Sequence, residues 1–444
     1  MAELDSENRS SRVHTVALFL ALLGGVSMVY YHLGLFMPRV IAARAAKGLG
    51  NGYAFGDDFY PVWLTAGQAR SKHIDPYSRE MTRQIQTGLF GRPLDTRNPT
   101  DPPVDYREFA YPAFTDLLFW PIAAIDFSQL RLILAVLLTL LTAASVWLWV
   151  LALDWGISPT LLAILIILAL CNYQVLEGLF ADQPGLIVGF LLACAALALR
   201  RDHLFLSGIL LALTLIKPQM TALAIFSLLL WSCSDRRRAR LCIGFIFTTL
   251  PLVGASLMIW PRWIAEWTRI LLGYHRYATP PLLTLLLGPI LGAYIGPLVI
   301  VIILAVAVVL AWRNRRVNPS SQEFWLTLSL LLAITAVSLL PGQAIYDDVI
   351  LLPGIFLLLR YRRKLWRGGP VPRTLLFVGA IVLFWPWVAA VALLAARHLL
   401  SVARFDSTAV FALPLRTAVS FVFAVLALLA VAARINVAGD QAPS

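Results

Sequence analysis

Apolar runs of membrane-helix length, or a little less, alternate with short polar connections along most of the chain. They fall at about 14–37, 128–151, 157–172, 183–199, 204–216, 219–233, 240–260, 285–312, 322–340, 346–361, 373–396 and 409–433. A helix crosses the hydrocarbon with ~20 apolar residues. The pattern therefore predicts an all-α polytopic membrane protein of about twelve helices. The run 204–233 is long enough for one helix, but Lys217-Pro218 falls in its middle. Proline removes a backbone donor and clashes with the preceding turn, so a hairpin with two short arms is expected. The first run follows Arg9 and Arg12. Its apolar part is too long for a signal peptide, no clean small-residue cleavage site follows, and many spans come after it.

The interval 38–127 breaks the alternation. Residues 38–108 are rich in Asp, Arg, Gly and Pro, and a connection of that length is usually functional. Within it Asp58–Lys72 reads as an amphipathic helix, with Phe59, Val62, Trp63 and Ala66 sharing one face. Phe109–Ile125 is apolar but carries Pro112 and Pro121. It is too short to span and reads as re-entrant or interfacial.

Composition agrees. Of 444 residues 59% are hydrophobic and 14% charged, with mean hydropathy +0.78, against roughly 45–50% and 25% in soluble domains. A soluble enzyme, a disulfide-knit secreted module and a disordered scaffold are excluded. The net charge of +12 comes mainly from clusters between apolar runs: Arg200/Arg201, Arg236–Arg240, Arg313–Arg316 and Arg360–Arg367. Basic short loops face the cytoplasm, which argues against a nucleic-acid partner. Twelve spans place all four clusters, both termini and Asp154 inside, in an inner (plasma) membrane, with Arg397, Arg404 and Arg416 as exceptions. The outer face then collects 38–127, 173–182, Lys217-Pro218-Gln219, 261–282 and 341–347. The four cysteines and six histidines show no zinc spacing, so no metal is expected.

Several polar residues on that outer face can carry chemistry. Asp57-Asp58 opens the amphipathic helix, as a helix cap and first-turn acid, as a metal-binding carboxylate pair or as a general base. Tyr111-Pro112 is an interfacial anchor or a site tyrosine. Gln174, Glu177, Asp182 and Gln183 cluster between two spans, where polar groups can meet a polar substrate. Lys217 sits at the hairpin tip, where it snorkels or meets an anion. Tyr274-His275-Arg276, with Trp263 and Trp267 upstream, suits interfacial anchoring, sugar stacking or phosphate contact. Gln343, Tyr346, Asp347 and Asp348 stand at the start of a span. No phosphate-binding glycine loop and no nucleophile elbow is present.

Taken in order, these motifs resemble one family. Asp58-Phe59-x-x-x-Trp63-x-x-Ala66, then Asp75-Pro76-Tyr77, then Tyr111-Pro112, Asp182-Gln183-Pro184, Leu215-Ile216-Lys217-Pro218 and Tyr346-Asp347-x-Val349-x-Leu351-Leu352-Pro353 are similar to motifs of GT-C membrane glycosyltransferases of family 87. The Gly-Gln-x-Asn step of that family reads Asp-Gln-Pro-Gly here. Asp347 and Asp348 stand where many relatives carry a histidine nearby. The resemblance implies an inverting enzyme that moves a sugar, mannose or a pentose, from a polyprenyl-phosphate-sugar donor to a glycan or glycolipid hydroxyl. Asp58 matches the first-loop base. Asp57, Trp63, Tyr111, Gln183, Lys217, Gln219, His275, Arg276, Gln343, Tyr346 and Asp347 are the expected substrate contacts. No cofactor and no essential metal are implied. Residues 1–260, including the outer loop 38–127, would carry the core, and 261–444 would shape the acceptor and lipid groove. The competing readings are a lipid or solute transporter or flippase, and a non-catalytic envelope scaffold. The long first loop and the 204–233 break have no counterpart in the second half, which disfavours a repeat-built transporter.

Overall fold

Caps and prolines set where the helices start. The computed structural model describes residues 2–50, 54–72, 74–401 and 420–439, and their regular elements are helices, with no strand among them. Ser158 accepts from Leu161 N ahead of α7 (Pro159–Leu170), Asn172 from Gln174 N ahead of α8 (Tyr173–Phe180), and Gln183 from Gly185 N ahead of α9 (Pro184–Arg200). Pro159 and Pro184 occupy first-turn positions, where the missing N–H costs nothing. Asp126 likewise caps α6 (Phe127–Ala152), and Ser321 caps α15 (Gln322–Ser338).

Helix overlaps every one of the twelve apolar intervals, though 409–419 of the last, with Arg404 and Arg416, lies outside the described residues. Among the described residues five stretches are long and apolar enough to cross a membrane: Val13–Ala46, Phe127–Ala152, Ala239–Ile259, Pro297–Asn314 and Pro370–Leu399. Helices α7 and α8, bent by 60° at their junction, make a sixth if counted as one broken span. The remaining apolar helices are shorter. The first stretch runs through α1 (Ala2–Val29), a π-helical turn Tyr30–Phe36 and α2 (Met37–Ala46). The segment 173–182, expected as a polar loop, is mostly helix α8, because Asn172 restarts the helix two residues after α7 ends.

The break at Lys217-Pro218 does separate two helices, α10 (Leu204–Leu213) and α11 (Pro218–Cys233). Both outer ends meet the start of α12 (Ala239–Ile259). A Cβ on Gly208 would lie 2.0 Å from Leu241 O, and one on Gly244 2.1 Å from Phe205 O, so α10 and α12 touch backbone to backbone. Ser232 Oγ accepts from Cys242 N at 3.1 Å. Residues 204, 233 and 241 therefore share one end, and Lys217 is the tip of a hairpin.

That shared end is the basic one. Arg200 reaches Pro319 O at 3.0 Å and Asp154 at 3.3 Å. Arg238 reaches Arg315 O at 3.3 Å, and Arg360 reaches Leu153 O at 2.5 Å. At the opposite end, about 24 Å away along the 16 residues of α11, lies the polar first loop.

Within this loop α3 (Tyr60–Lys72) buries Val62 and Ala66 completely, and the turn before it does the same for Phe59. Ahead of α6 come the short α5 (Phe114–Phe119) and a 3-10 turn Trp120–Ala124. On α4 (Arg79–Phe90), Gln86 donates to Val104 O and Tyr106 O at 2.9 and 2.8 Å and accepts from Leu94 N at 3.0 Å. One buried amide thus fixes the irregular stretch leading to Arg107.

Candidate active site

The polar end holds a cavity of about 600 Å³. Its floor begins with the turn before α3. Gly56 N and Asp58 N donate to Phe180 O and Ala181 O at 2.9 and 3.2 Å, clamping this turn onto the end of α8. Gly56 has φ +81°, and a Cβ there would lie 2.8 Å from Asp182 Oδ2. Only glycine fits that turn without strain.

The clamp sets off a run of charged and polar contacts across the cavity. Arg107 donates from one guanidinium nitrogen to Asp58 Oδ1 and from the other to Asp57 Oδ2, the latter at 2.8 Å. Arg44 of α2 also reaches Asp57 Oδ2, at 3.2 Å. Gln183 donates to Asp58 Oδ2 at 2.6 Å and accepts from Lys217 Nζ at 3.1 Å. Lys217 Nζ in turn lies 2.6 and 2.8 Å from the two oxygens of Asp347 and 5.0 Å from the centre of the Tyr346 ring. Lys217 and Asp347 side chains are 8% and 0% exposed. A pair this buried carries a large desolvation cost unless its hydrogen bonds are made, and here they are.

Glycines make room for this arrangement. A Cβ on Gly185 would sit 2.2 Å from Asp347 Oδ1, and one on Gly189 2.8 Å from Val349 Cγ1. The first turns of α9 therefore accept the 3-10 segment Ile345–Leu351 at a distance no larger residue allows.

Burial raises the Asp57 carboxyl to about 6, against the pull of Arg107 and Arg44 and with the charge of Asp58 adding to the rise. Burial also raises Tyr274 to about 12, which keeps that phenol a hydrogen-bond donor at neutral pH. Tyr106, Tyr111, Tyr274, Tyr277 and Trp267 line the remainder of the wall, a surface suited to the apolar faces of sugar rings.

Nine expected residues line this one cavity: Asp57, Asp58, Tyr111, Gln183, Lys217, Gln219, Gln343, Tyr346 and Asp347. Tyr111 OH stands 3.5 Å from Gln183 Oε1, and Gln343 Oε1 accepts from Thr279 N at 2.8 Å. Three others are not brought to it. Trp63 packs against Phe127 with ring centres 5.2 Å apart and donates to Ile125 O at 2.9 Å, bracing α3. His275 is exposed and bonds Leu272 O at 2.6 Å. Arg276 is exposed and pairs with Asp105 at 2.8 Å. After α13 (Trp263–Gly273), the 3-10 turn Tyr274–Arg276 points Tyr274 and Tyr277 inward and leaves the two residues between them outside. Arg44, Tyr106, Arg107 and Glu108 also line the cavity without having been singled out in the sequence, and Glu177 lines it from the polar cluster between two spans.

The sequence profile of glycosyltransferase family 87 matches residues 109–341, somewhat more than half of the chain. The chain belongs to glycosyltransferase family 87. The matched region of this family 87 glycosyltransferase contains Tyr111, Gln183, Lys217 and Gln219. The acids of the first loop precede it, and Gln343, Tyr346 and Asp347 follow it. No curated protein and no solved structure matches the chain. Membership makes the protein a membrane glycosyltransferase, with a sugar donor and an acceptor as its partners.

Proposed function

We propose that the chain is an inverting transferase that moves mannose from a polyprenyl-phosphate-sugar donor to a hydroxyl of a glycan or glycolipid. The observation that carries this reading is the contact run Asp58–Gln183–Lys217–Asp347. It draws residues from four distant segments into one cavity at the end opposite the basic loops. Basic loops face the cytoplasm, so the cavity opens at the outer face of an inner membrane, and both termini are cytoplasmic. The fold is of GT-C type with about twelve spans. Residues 1–260 supply the catalytic core, and 261–444 shape the acceptor and lipid groove.

In this mechanism Asp58 is the general base. An alcohol is a poor nucleophile at neutral pH, and a placed carboxylate contributes typically 10²–10⁴-fold. Arg107 and Gln183 hold both oxygens of Asp58 and fix its orientation. The hydroxyl oxygen attacks the anomeric carbon, the bond to the phosphate oxygen breaks on the opposite face, and the hydroxyl proton goes to Asp58. Lys217 stabilises the departing polyprenyl phosphate. The reaction needs no cofactor and no metal.

The test uses membranes holding wild type or Asp58→Asn at equal protein levels with radiolabelled polyprenyl-phospho-mannose. Label passes from donor to a larger product in the wild type and stays on the donor in Asp58→Asn. Full transfer by Asp58→Asn overturns the assignment of the base, and absence of transfer by wild type overturns the donor.

A further inference from the structure

The cavity holds a second carboxylate system that the contact run does not include. Glu177 projects from α8 onto the cavity wall, with its side chain 27% exposed. Its Oε2 lies 2.7 Å from Nε2 of His32, whose side chain is fully buried. Among the described residues Glu177 pairs with no arginine or lysine, and its one ion-pair partner is His32. Asp57, Asp58 and Asp347, by contrast, are each bound to arginine or lysine.

His32 is held with unusual care. It sits in the seven-residue π-helical turn Tyr30–Phe36, a form that is rare and frequently found at functional sites. Tyr173, Phe36 and Phe180 surround the ring at centroid distances of 5.4, 6.0 and 6.3 Å. Its other nitrogen, Nδ1, is buried with no hydrogen-bond partner. A buried polar group left half satisfied costs free energy. A purely structural position would be filled more cheaply by an apolar side chain.

The same helix carries the site's scaffold. Ala181 N donates to Glu177 O at 3.0 Å, and Ala181 O receives Asp58 N at 3.2 Å. One turn of helix thus separates the Glu177 carboxylate from the backbone that seats Asp58. A carboxylate with one oxygen held from behind, and the other without a partner among the described residues, accepts hydrogen bonds from hydroxyl groups, while it repels phosphate.

We infer that Glu177 binds a sugar hydroxyl in the cavity and that His32 is its positioning residue. This rests on the glycosyltransferase reading above. The hydroxyl belongs to the sugar of the donor or to that of the acceptor, and the kinetics separate the two.

The experiment uses the purified full chain in lipid nanodiscs. Polyprenyl-phospho-mannose, together with single-deoxy analogues of its sugar, serves as donor, and octyl mannoside as acceptor. The variants are Glu177→Gln, His32→Gln and His32→Leu. Glu177→Gln is expected to raise KM for one of the two substrates about 10- to 100-fold, the range of a charge-assisted hydrogen bond, with kcat nearly unchanged. A donor KM effect assigns the hydroxyl to the donor sugar, and an acceptor KM effect assigns it to the acceptor. In the donor case one deoxy analogue that wild type rejects is accepted by Glu177→Gln as well as the parent sugar. His32→Leu reproduces the KM effect, and His32→Gln, which keeps an N–H donor, restores most of the affinity.

Unchanged KM values in Glu177→Gln overturn the inference while leaving the glycosyltransferase intact. So does a loss confined to kcat, which would make Glu177 a base. Transfer absent in wild type overturns both readings together.

Discussion

The buried pair Lys217–Asp347 offers a test in which stability and activity part company. Lys217→Met removes the cation and leaves Asp347, fully buried, without the ammonium group that bonds both of its oxygens. Removing one partner of a buried ion pair costs about 3–5 kcal/mol, because the other charge is left uncompensated. Changing Asp347 as well, in Lys217→Met/Asp347→Leu, removes the stranded charge. Replacing a whole buried pair by apolar groups of similar size is often neutral or stabilising. The single variant should therefore survive heating far less well than wild type, and the double variant should recover most of the loss. Activity should not follow. If Lys217 stabilises the leaving phosphate, both variants lose about 10²–10³-fold in kcat, the scale of removing one preorganised electrostatic contact. The assays are the fraction of monodisperse protein remaining after graded heating, and label transfer from polyprenyl-phospho-mannose. A double variant with near wild-type transfer refutes the phosphate role. A single variant as heat-resistant as wild type refutes the claim that the pair is dry.

Two further predictions follow from the same cavity. Asp57 titrates near 6 in the fold and near 3.8 when exposed, so between those values the folded chain binds the extra proton more tightly. Its contribution to stability therefore grows as pH falls through about 6 and is lost as pH rises through it. Transfer moves the opposite way, declining below about pH 6 as the charge that shares Arg107 with Asp58 disappears. Asp57→Asn should flatten both trends, and pH profiles of heat resistance and transfer, wild type against Asp57→Asn, check it. Gly185→Ala brings a methyl to 2.2 Å from Asp347 Oδ1. It should push Asp347 off Lys217 and cut transfer at least tenfold, whereas Gly254→Ala, in open space on α12, should cost almost nothing.

How much of this was legible in the chain differs by element, for physical reasons. The helix positions were, because each apolar run must bury its backbone polar groups in helix at membrane depth. The hairpin tip was legible from a lysine and a proline interrupting thirty apolar residues, and its direction, away from the basic loops, from arginines that gather at the other end. Span count by length was less so. α9, α10, α11 and α15 fall short of the usual crossing length. In the site, the acids and amides at helix starts could be read, since a charge beside an apolar run has few structural excuses. Arg107 could not. It sits at φ +69° in an irregular loop whose course is set by Gln86, eighteen to twenty residues away from the carbonyls it holds. No local pattern encodes that reach.

The Tyr274-His275-Arg276 run shows the converse. Its composition suits a sugar site, but composition does not say which side of a helical turn faces inward. In the 3-10 turn Tyr274–Arg276, three residues close one turn, so Tyr274 and Tyr277 fall on the cavity side, and His275 and Arg276 on the other. The glycines at 185 and 189 carried the missing information. Their four-residue spacing on the face of α9 marks where the side chains of another segment come close. The segment that comes close, Ile345–Leu351, is the one that brings Asp347 to Lys217. Small residues on one helix and a carboxylate pair more than 150 residues later describe a single contact, which only the folded chain makes visible.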